Sequence, residues 1–107
     1  MQTSKEMSTI YAVIKETLAN RGHITSSYIL TADEVLQAGE QFLGIGYREM
    51  GKPGSGIFRS ADGMRQFRMD TSALGGQHAP HVPHVHLEVY RPGSTKPETN
   101  NHIPFTD

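Results

Sequence analysis

The sequence contains no cysteine and no tryptophan, and only 7% of its residues are aromatic. Without cysteine there is no disulfide framework and no thiolate metal site, so a metal ion would need histidine and carboxylate ligands. No apolar run approaches the roughly 18 residues of a membrane span. The first residues, MQTSKE, lack the basic-then-apolar plan of a secretion signal. We therefore expect a soluble domain without a membrane segment.

The chain also lacks an excess of charge of either sign, since its formal net charge is −1. Proteins that bind nucleic acid irrespective of sequence are usually basic. The composition therefore argues against such a binder but allows an enzyme with a local basic patch. At 107 residues and 36% hydrophobic content, the chain is expected to be a single domain with one core. We expect it to be a monomer.

Two helices are predicted in residues 1–44. Apolar residues recur at helical spacing after Ser8, which is a candidate N-cap for a helix over residues 8–20. Thr31 and Glu34 match a capping box, which predicts a second helix that ends at Gly44. Residues 23–30 between them are ambiguous, with no clear period.

Residues 45–107 are predicted to form the sheet. Segments 45–50, 57–60 and 64–70 have strand character, and Ala61-Asp62-Gly63 is a hairpin signal. A last strand at 101–105 is expected at the sheet edge. Helices followed by strands indicate an α+β fold, with two N-terminal helices on one face of a four- to five-stranded, mainly antiparallel sheet.

The segment 84–90, HVHLEVY, has the period of a strand with one buried side. Val85, Leu87 and Val89 would enter the core. His84, His86, Glu88 and Tyr90 would lie on the opposite, open face of the sheet, beside Gln66 and Arg68 of the preceding strand. Arg59 and His78 would reach the rim of that face.

Imidazole and carboxylate groups beside arginine are suited to metal-free RNA cleavage. In this hypothesis His86 is the general base, His84 or His78 is the acid, and Glu88 orients a histidine or replaces it as base. No cofactor is expected.

The remaining polar residues would bind the substrate. Arg68 would hold the phosphate with help from Arg59, because a guanidinium donates two parallel hydrogen bonds to a phosphate. Tyr90 would stack on a base or donate to the phosphate. Gln66 and Thr71 are further candidates for substrate binding.

Two alternatives stay open. His84 and His86 form a His-x-His pair that could bind zinc with a third ligand from Glu88, His78 or His81, giving a zinc-dependent peptidase or nuclease. The other alternative is a module that binds a protein partner without catalysis. His23, His81 and His102 are interpreted as structural or solvated residues.

The run GIFRSADGMRQFRM at 56–69, Gly76-Gln77-His78 and HVHLE at 84–88 together resemble the C-terminal toxin domains of contact-dependent growth-inhibition, Rhs and related polymorphic bacterial toxins. The order of helices and sheet is similar to the barnase/EndoU/colicin/RelE-like ribonuclease group. This resemblance implies a domain of a secreted or cell-surface toxin that cleaves RNA, often tRNA, in the cytoplasm of a target cell. It also implies a cognate immunity protein. The residues carried over are Arg59, Arg68, His78, His84, His86 and Glu88.

The segment PHVHLE at 83–88 is also similar to the last zinc-binding strand of lysostaphin-type peptidases. That second resemblance implies a zinc site at His84 and His86. Those enzymes take further ligands from an upstream histidine and aspartate in a sheet-rich domain, whereas two helices are predicted here.

Overall fold

The computed structural model describes residues 4–69, 74–75 and 80–106. The elements follow in the order α1 (Ser4–Ala19), β1 (Gly22–Thr25), β2 (Leu30–Thr31), α2 (Ala32–Leu43), β3 (Arg48–Glu49), β4 (Ile57–Arg59), β5 (Arg65–Arg68), β6 (His84–Val89) and β7 (Thr99–Thr106). The class is α+β, as predicted. Neither helix is both long enough and apolar enough to cross a membrane.

The seven strands form one mostly antiparallel sheet in the order β1-β7-β6-β5-β4-β3, with β2 also paired to β7. The prediction of four to five strands is therefore wrong. Strands β1 and β2 come from the part of the chain predicted to be helical, and both pair with β7 in parallel. The prediction that β7 lies at an edge is also wrong, because β1 and β6 pair along its two sides.

The two helices differ in how well the sequence marks their ends. Thr31 caps α2 as predicted: its hydroxyl accepts from the Glu34 amide, and the Glu34 carboxylate accepts from the Thr31 amide at 2.8 Å. Gly44 ends α2 with a φ of 76°, a conformation that glycine adopts without strain. Helix α1 begins at Ser4, one turn before the predicted cap at Ser8.

One hydrophobic core joins the helices to the sheet. Its members come from α1, from α2 with the adjacent β2, and from three neighbouring strands of the sheet: Ile10, Val13, Leu30, Val35, Ala38, Phe42, Leu43, Phe67, Val85, Leu87 and Ile103. Helix α2 approaches β5 so closely that a Cβ atom on Gly39 would lie 2.5 Å from the Phe67 ring. Glycine at this position therefore sets the distance between helix and sheet.

A second contact between helix and sheet is polar. The Asn101 amide on β7 donates to Glu16 Oε1 and to Thr17 Oγ1 of α1, both at 2.9 Å. Glu16 also accepts from the Ser26 hydroxyl at 2.6 Å and from the Ser27 amide at 2.9 Å. These bonds tie α1 to β7 and to the segment between β1 and β2.

Candidate functional site

The alternation predicted for β6 is confirmed. Val85 and Leu87 belong to the core, while the intervening side chains lie on the other side of the sheet. The prediction that this other side is open is wrong, because His84, His86 and Glu88 are only 0%, 1% and 3% exposed. Strand β6 lies between β5 and β7, so polar side chains of both neighbouring strands contact these three residues.

The strand register explains which residues meet. His86 lies directly opposite Arg68 of β5 and opposite His102 of β7. Glu88 lies directly opposite Gln66 and Asn100 in the same way. Directly paired residues on antiparallel strands project from the same side of a sheet, so these side chains form one continuous surface. We call it the polar face, and it comprises Arg59, Gln66, Arg68, His84, His86, Glu88, Tyr90, Asn100 and His102.

Three imidazoles form one end of the polar face. The ring centroids of His84, His86 and His102 are 4.9 Å, 4.4 Å and 5.5 Å apart for the pairs 84–86, 86–102 and 84–102. One ring nitrogen from each lies within 4.8 Å of the other two. The sequence indicates a structural or solvated His102, so its place in this cluster is a feature that sequence reasoning missed.

Backbone carbonyls orient two of the three rings. His84 Nδ1 lies 2.7 Å from the Val82 oxygen, and His102 Nδ1 lies 2.8 Å from the Ile24 oxygen. A carbonyl oxygen only accepts, so each Nδ1 carries the proton and donates it. A neutral imidazole with its proton on Nδ1 has its lone pair on Nε2.

The His86 ring has two competing partners at Nδ1. The Asn100 side-chain oxygen lies 2.8 Å away, and Arg68 Nη2 lies 3.1 Å away. Donation to Asn100 leaves the His86 lone pair on Nε2, whereas acceptance from Arg68 places it on Nδ1. Burial, followed by the positive charge of Arg68 and the neighbouring histidines, lowers the pKa of His86 to about 3, and the bond to Asn100 only partly opposes this shift.

A guanidinium–carboxylate network forms the rest of the polar face. Glu88 Oε1 accepts from Gln66 Nε2 at 2.7 Å and lies 3.4 Å from Arg68 Nε. Gln66 Oε1 accepts from Arg59 Nε at 3.0 Å and from Arg59 Nη2 at 2.6 Å. The network thus runs without a break from Arg59 on β4 through Gln66 and Glu88 to Arg68.

Tyr90 directly follows β6 and contacts two members of this network, Arg59 and Gln66. The Arg59 guanidinium carbon lies 4.7 Å from the centre of the Tyr90 ring, and Gln66 Nε2 donates to the Tyr90 hydroxyl at 3.2 Å. Burial and the negative charge of Glu88 raise the pKa of Tyr90 above its usual value. Tyr90 therefore carries its proton at neutral pH and can donate a hydrogen bond.

The structure brings together seven of the nine site residues predicted from the sequence: Arg59, Gln66, Arg68, His84, His86, Glu88 and Tyr90. The other two, Thr71 and His78, lie outside the described residues. His81 is exposed and has a φ of 63°. His23 is exposed on β1, and its ring centroid is 5.9 Å from that of His102. His23, Ile24, Thr25 and His102 line a surface cleft of about 190 Å³.

No family model, curated protein or solved structure matches the chain. The resemblance to bacterial toxin domains, drawn from short motifs, therefore stays a prediction.

Proposed function

We propose that this chain is a ribonuclease of the bacterial toxin class, with its substrate phosphate bound at Arg68. One observation carries the proposal. The Arg68 guanidinium lies 3.1 Å from the His86 imidazole and 3.4 Å from the Glu88 carboxylate, and its side chain is 21% exposed. Arg68 is thus the point at which the buried acid–base groups of the polar face reach the surface.

A phosphodiester bound at Arg68 lies beside groups that suit its cleavage. The ribose 2′-oxygen attacks phosphorus and loses its proton to a base, while the bond to the 5′-oxygen breaks and an acid supplies that oxygen with a proton. The products are a 2′,3′-cyclic phosphate and a 5′-hydroxyl. A guanidinium stabilises the negative charge that accumulates on the phosphate oxygens.

The base is expected to be His86 or Glu88, which both contact Arg68. A pKa of about 3 keeps His86 neutral near pH 7, so the ring is not an imidazolium that could serve as the acid, and its lone pair is a weak base. The acid that protonates the 5′-oxygen stays a prediction from the sequence, with His84 or His78 in that role. His78 lies outside the described residues. Arg59 supports the site indirectly, because it holds Gln66, which in turn holds Glu88.

The proposed partners follow from the toxin resemblance. They are an RNA substrate, with tRNA as the first candidate, and an immunity protein that blocks the domain in the producing cell. Export in a larger secreted or cell-surface protein and action in the cytoplasm of the target cell belong to the same proposal.

The test is cleavage of total cellular RNA by the purified chain, followed on a denaturing gel. Arg68→Lys keeps the charge but loses the planar fork, and we expect cleavage to slow at least about tenfold. Arg21→Lys is the matched control, because Arg21 is an exposed arginine outside the polar face, and it should cleave like the wild type. Intact RNA with the wild-type chain, or equal rates for both variants, contradicts the proposal and favours a peptidase or a non-catalytic binding module.

A further inference from the structure

We infer that His84, His86 and His102 form a binding site for one divalent transition-metal ion, with Nε2 of each ring as the ligand atom. The inference goes beyond the proposed function, since it concerns a ligand of the domain and stands whether or not the chain cleaves RNA. It adds His102 to the zinc pair that the sequence suggested and replaces the other candidate third ligands.

The three histidines lie close enough together to share one ion. A tetrahedral zinc site with Zn–N bonds of about 2.0–2.1 Å places its ligand nitrogens about 3.4 Å apart. One ring nitrogen from each of the three histidines already lies within 4.8 Å of the other two. Binding an ion therefore requires these nitrogens to approach one another by little more than an ångström.

Each of the three rings also has a hydrogen-bond acceptor behind it. A metal-bound histidine almost always donates its other ring N–H to a carbonyl or carboxylate, which fixes the tautomer and the orientation of the ring. His84 and His102 donate to the carbonyls of Val82 and Ile24, and the Asn100 side-chain oxygen stands 2.8 Å from His86 Nδ1. All three rings thus have an oxygen acceptor at the nitrogen that would point away from the metal.

The ligand set indicates the class of ion. Three neutral imidazoles suit zinc, nickel, copper or cobalt, whereas magnesium and calcium prefer oxygen ligands. Three protein ligands leave a fourth tetrahedral position for water or substrate. The cleft beside His102 gives an ion a route from solvent to one of the ligands.

One charge opposes the ion and one favours it. The Arg68 guanidinium contacts His86, and this positive charge weakens cation binding. Glu88 lies 3.4 Å from Arg68 Nε and offsets that charge. The alternative is a packed cluster of three neutral rings that binds nothing, and direct binding measurements separate the two.

The experiment uses the full chain, stripped of metal with EDTA and dialysed. Cobalt is added and the visible absorption of a four-coordinate ion is followed, and zinc binding is measured by calorimetry. We expect one ion per chain. His84→Asn and His102→Asn should each weaken binding at least about 100-fold. Asparagine places an amide N–H near the position of Nδ1, so each variant keeps the donor to its carbonyl and loses only the ligand nitrogen.

His81→Asn is the control. It removes an exposed histidine near β6, and asparagine tolerates the positive φ at this position. It should bind the metal like the wild type. The inference is overturned if the wild-type chain shows no saturable binding of cobalt or zinc. It is also overturned if a folded His102→Asn variant binds the metal as tightly as the wild type. Because no RNA is present, failure of the metal site is distinguishable from failure of the proposed ribonuclease.

Discussion

His86 of β6 and His102 of β7 occupy directly paired positions, and their ring centroids are 4.4 Å apart. The pair joins the two strands through the buried half of the polar face. His86 also contacts Arg68 on its other side, so one ring links side chains from three adjacent strands. A change at this position therefore affects the sheet as well as any chemistry.

We expect His86→Ala to destabilise the fold by roughly 2–4 kcal/mol, because it leaves a cavity and removes the imidazole from Arg68 and Asn100. An open His face, as predicted from the sequence, would instead leave folding intact. Urea unfolding measures the difference, with His81→Asn as an exposed control that should change stability by less than about 0.5 kcal/mol. Wild-type stability for His86→Ala would show that the polar face is accessible after all.

A substitution at Gly39 of α2 tests whether the helix approaches the sheet as closely as the structure shows. Glycine to alanine inside a helix normally stabilises by about 1 kcal/mol. Here a Cβ atom meets the buried Phe67 ring at 2.5 Å, so we expect Gly39→Ala to destabilise by about 1–3 kcal/mol instead. Gln37→Ala, at an exposed position of the same helix, should be nearly neutral. Thermal unfolding of both variants gives the sign, and a stabilised Gly39→Ala contradicts the packing.

The sequence predicts those parts of the fold that depend on residues close together in the chain. The capping box of Thr31 and Glu34, the hairpin between β4 and β5, and the alternation along β6 depend on residues a few positions apart. Strands β1 and β2 have four and two residues, too few for a visible period, and they pair in parallel with β7 from the far end of the chain.

The same non-local pairing determines the candidate site. Once β7 lies beside β6, the buried face is closed by Asn100 and His102, and neither residue stands out in its own segment. Asn100 and His102 alternate with Asn101 and Ile103, which is the period of a strand. The side of the sheet on which His102 lies depends, however, on the register of β7 against β6, which this alternation does not determine.

Because the pKa of Glu16 is lowered in the folded protein, we expect the stability of the fold to depend on pH. Burial alone would raise its pKa, but hydrogen bonds from Ser26, Ser27 and Asn101 outweigh burial and lower the pKa below the model-compound value of 4.5. A carboxylate with a lowered folded-state pKa stabilises the fold above its unfolded-state pKa, and this contribution is lost as the pH falls through the folded-state pKa. We expect Glu16→Gln to be less stable than the wild type near pH 7, by about 1–3 kcal/mol.

The difference should shrink as the pH falls from about 5 to below the folded-state pKa of Glu16, because the wild-type carboxyl then also becomes neutral. Urea unfolding at several pH values measures it. Glu40→Gln removes the same charge from an exposed position of α2 and serves as the control for net charge. A stability difference that stays constant over this pH range contradicts the lowered pKa of Glu16.

The last prediction joins the metal site to the proposed ribonuclease. With an ion on the three imidazoles, His84 and His86 no longer offer lone pairs to a proton, and Glu88 is the predicted base that remains beside Arg68. An ion held by these three residues would add positive charge next to Arg68, which would help to stabilise the phosphate as it gains negative charge. We therefore expect EDTA to slow RNA cleavage at least about tenfold and zinc to restore it, since one such electrostatic contact contributes at least that factor.

His102→Asn should cleave slowly with or without zinc, while His81→Asn should respond like the wild type. Full cleavage by the metal-stripped wild type would instead support the metal-free mechanism that the sequence predicted, with His86 as the base.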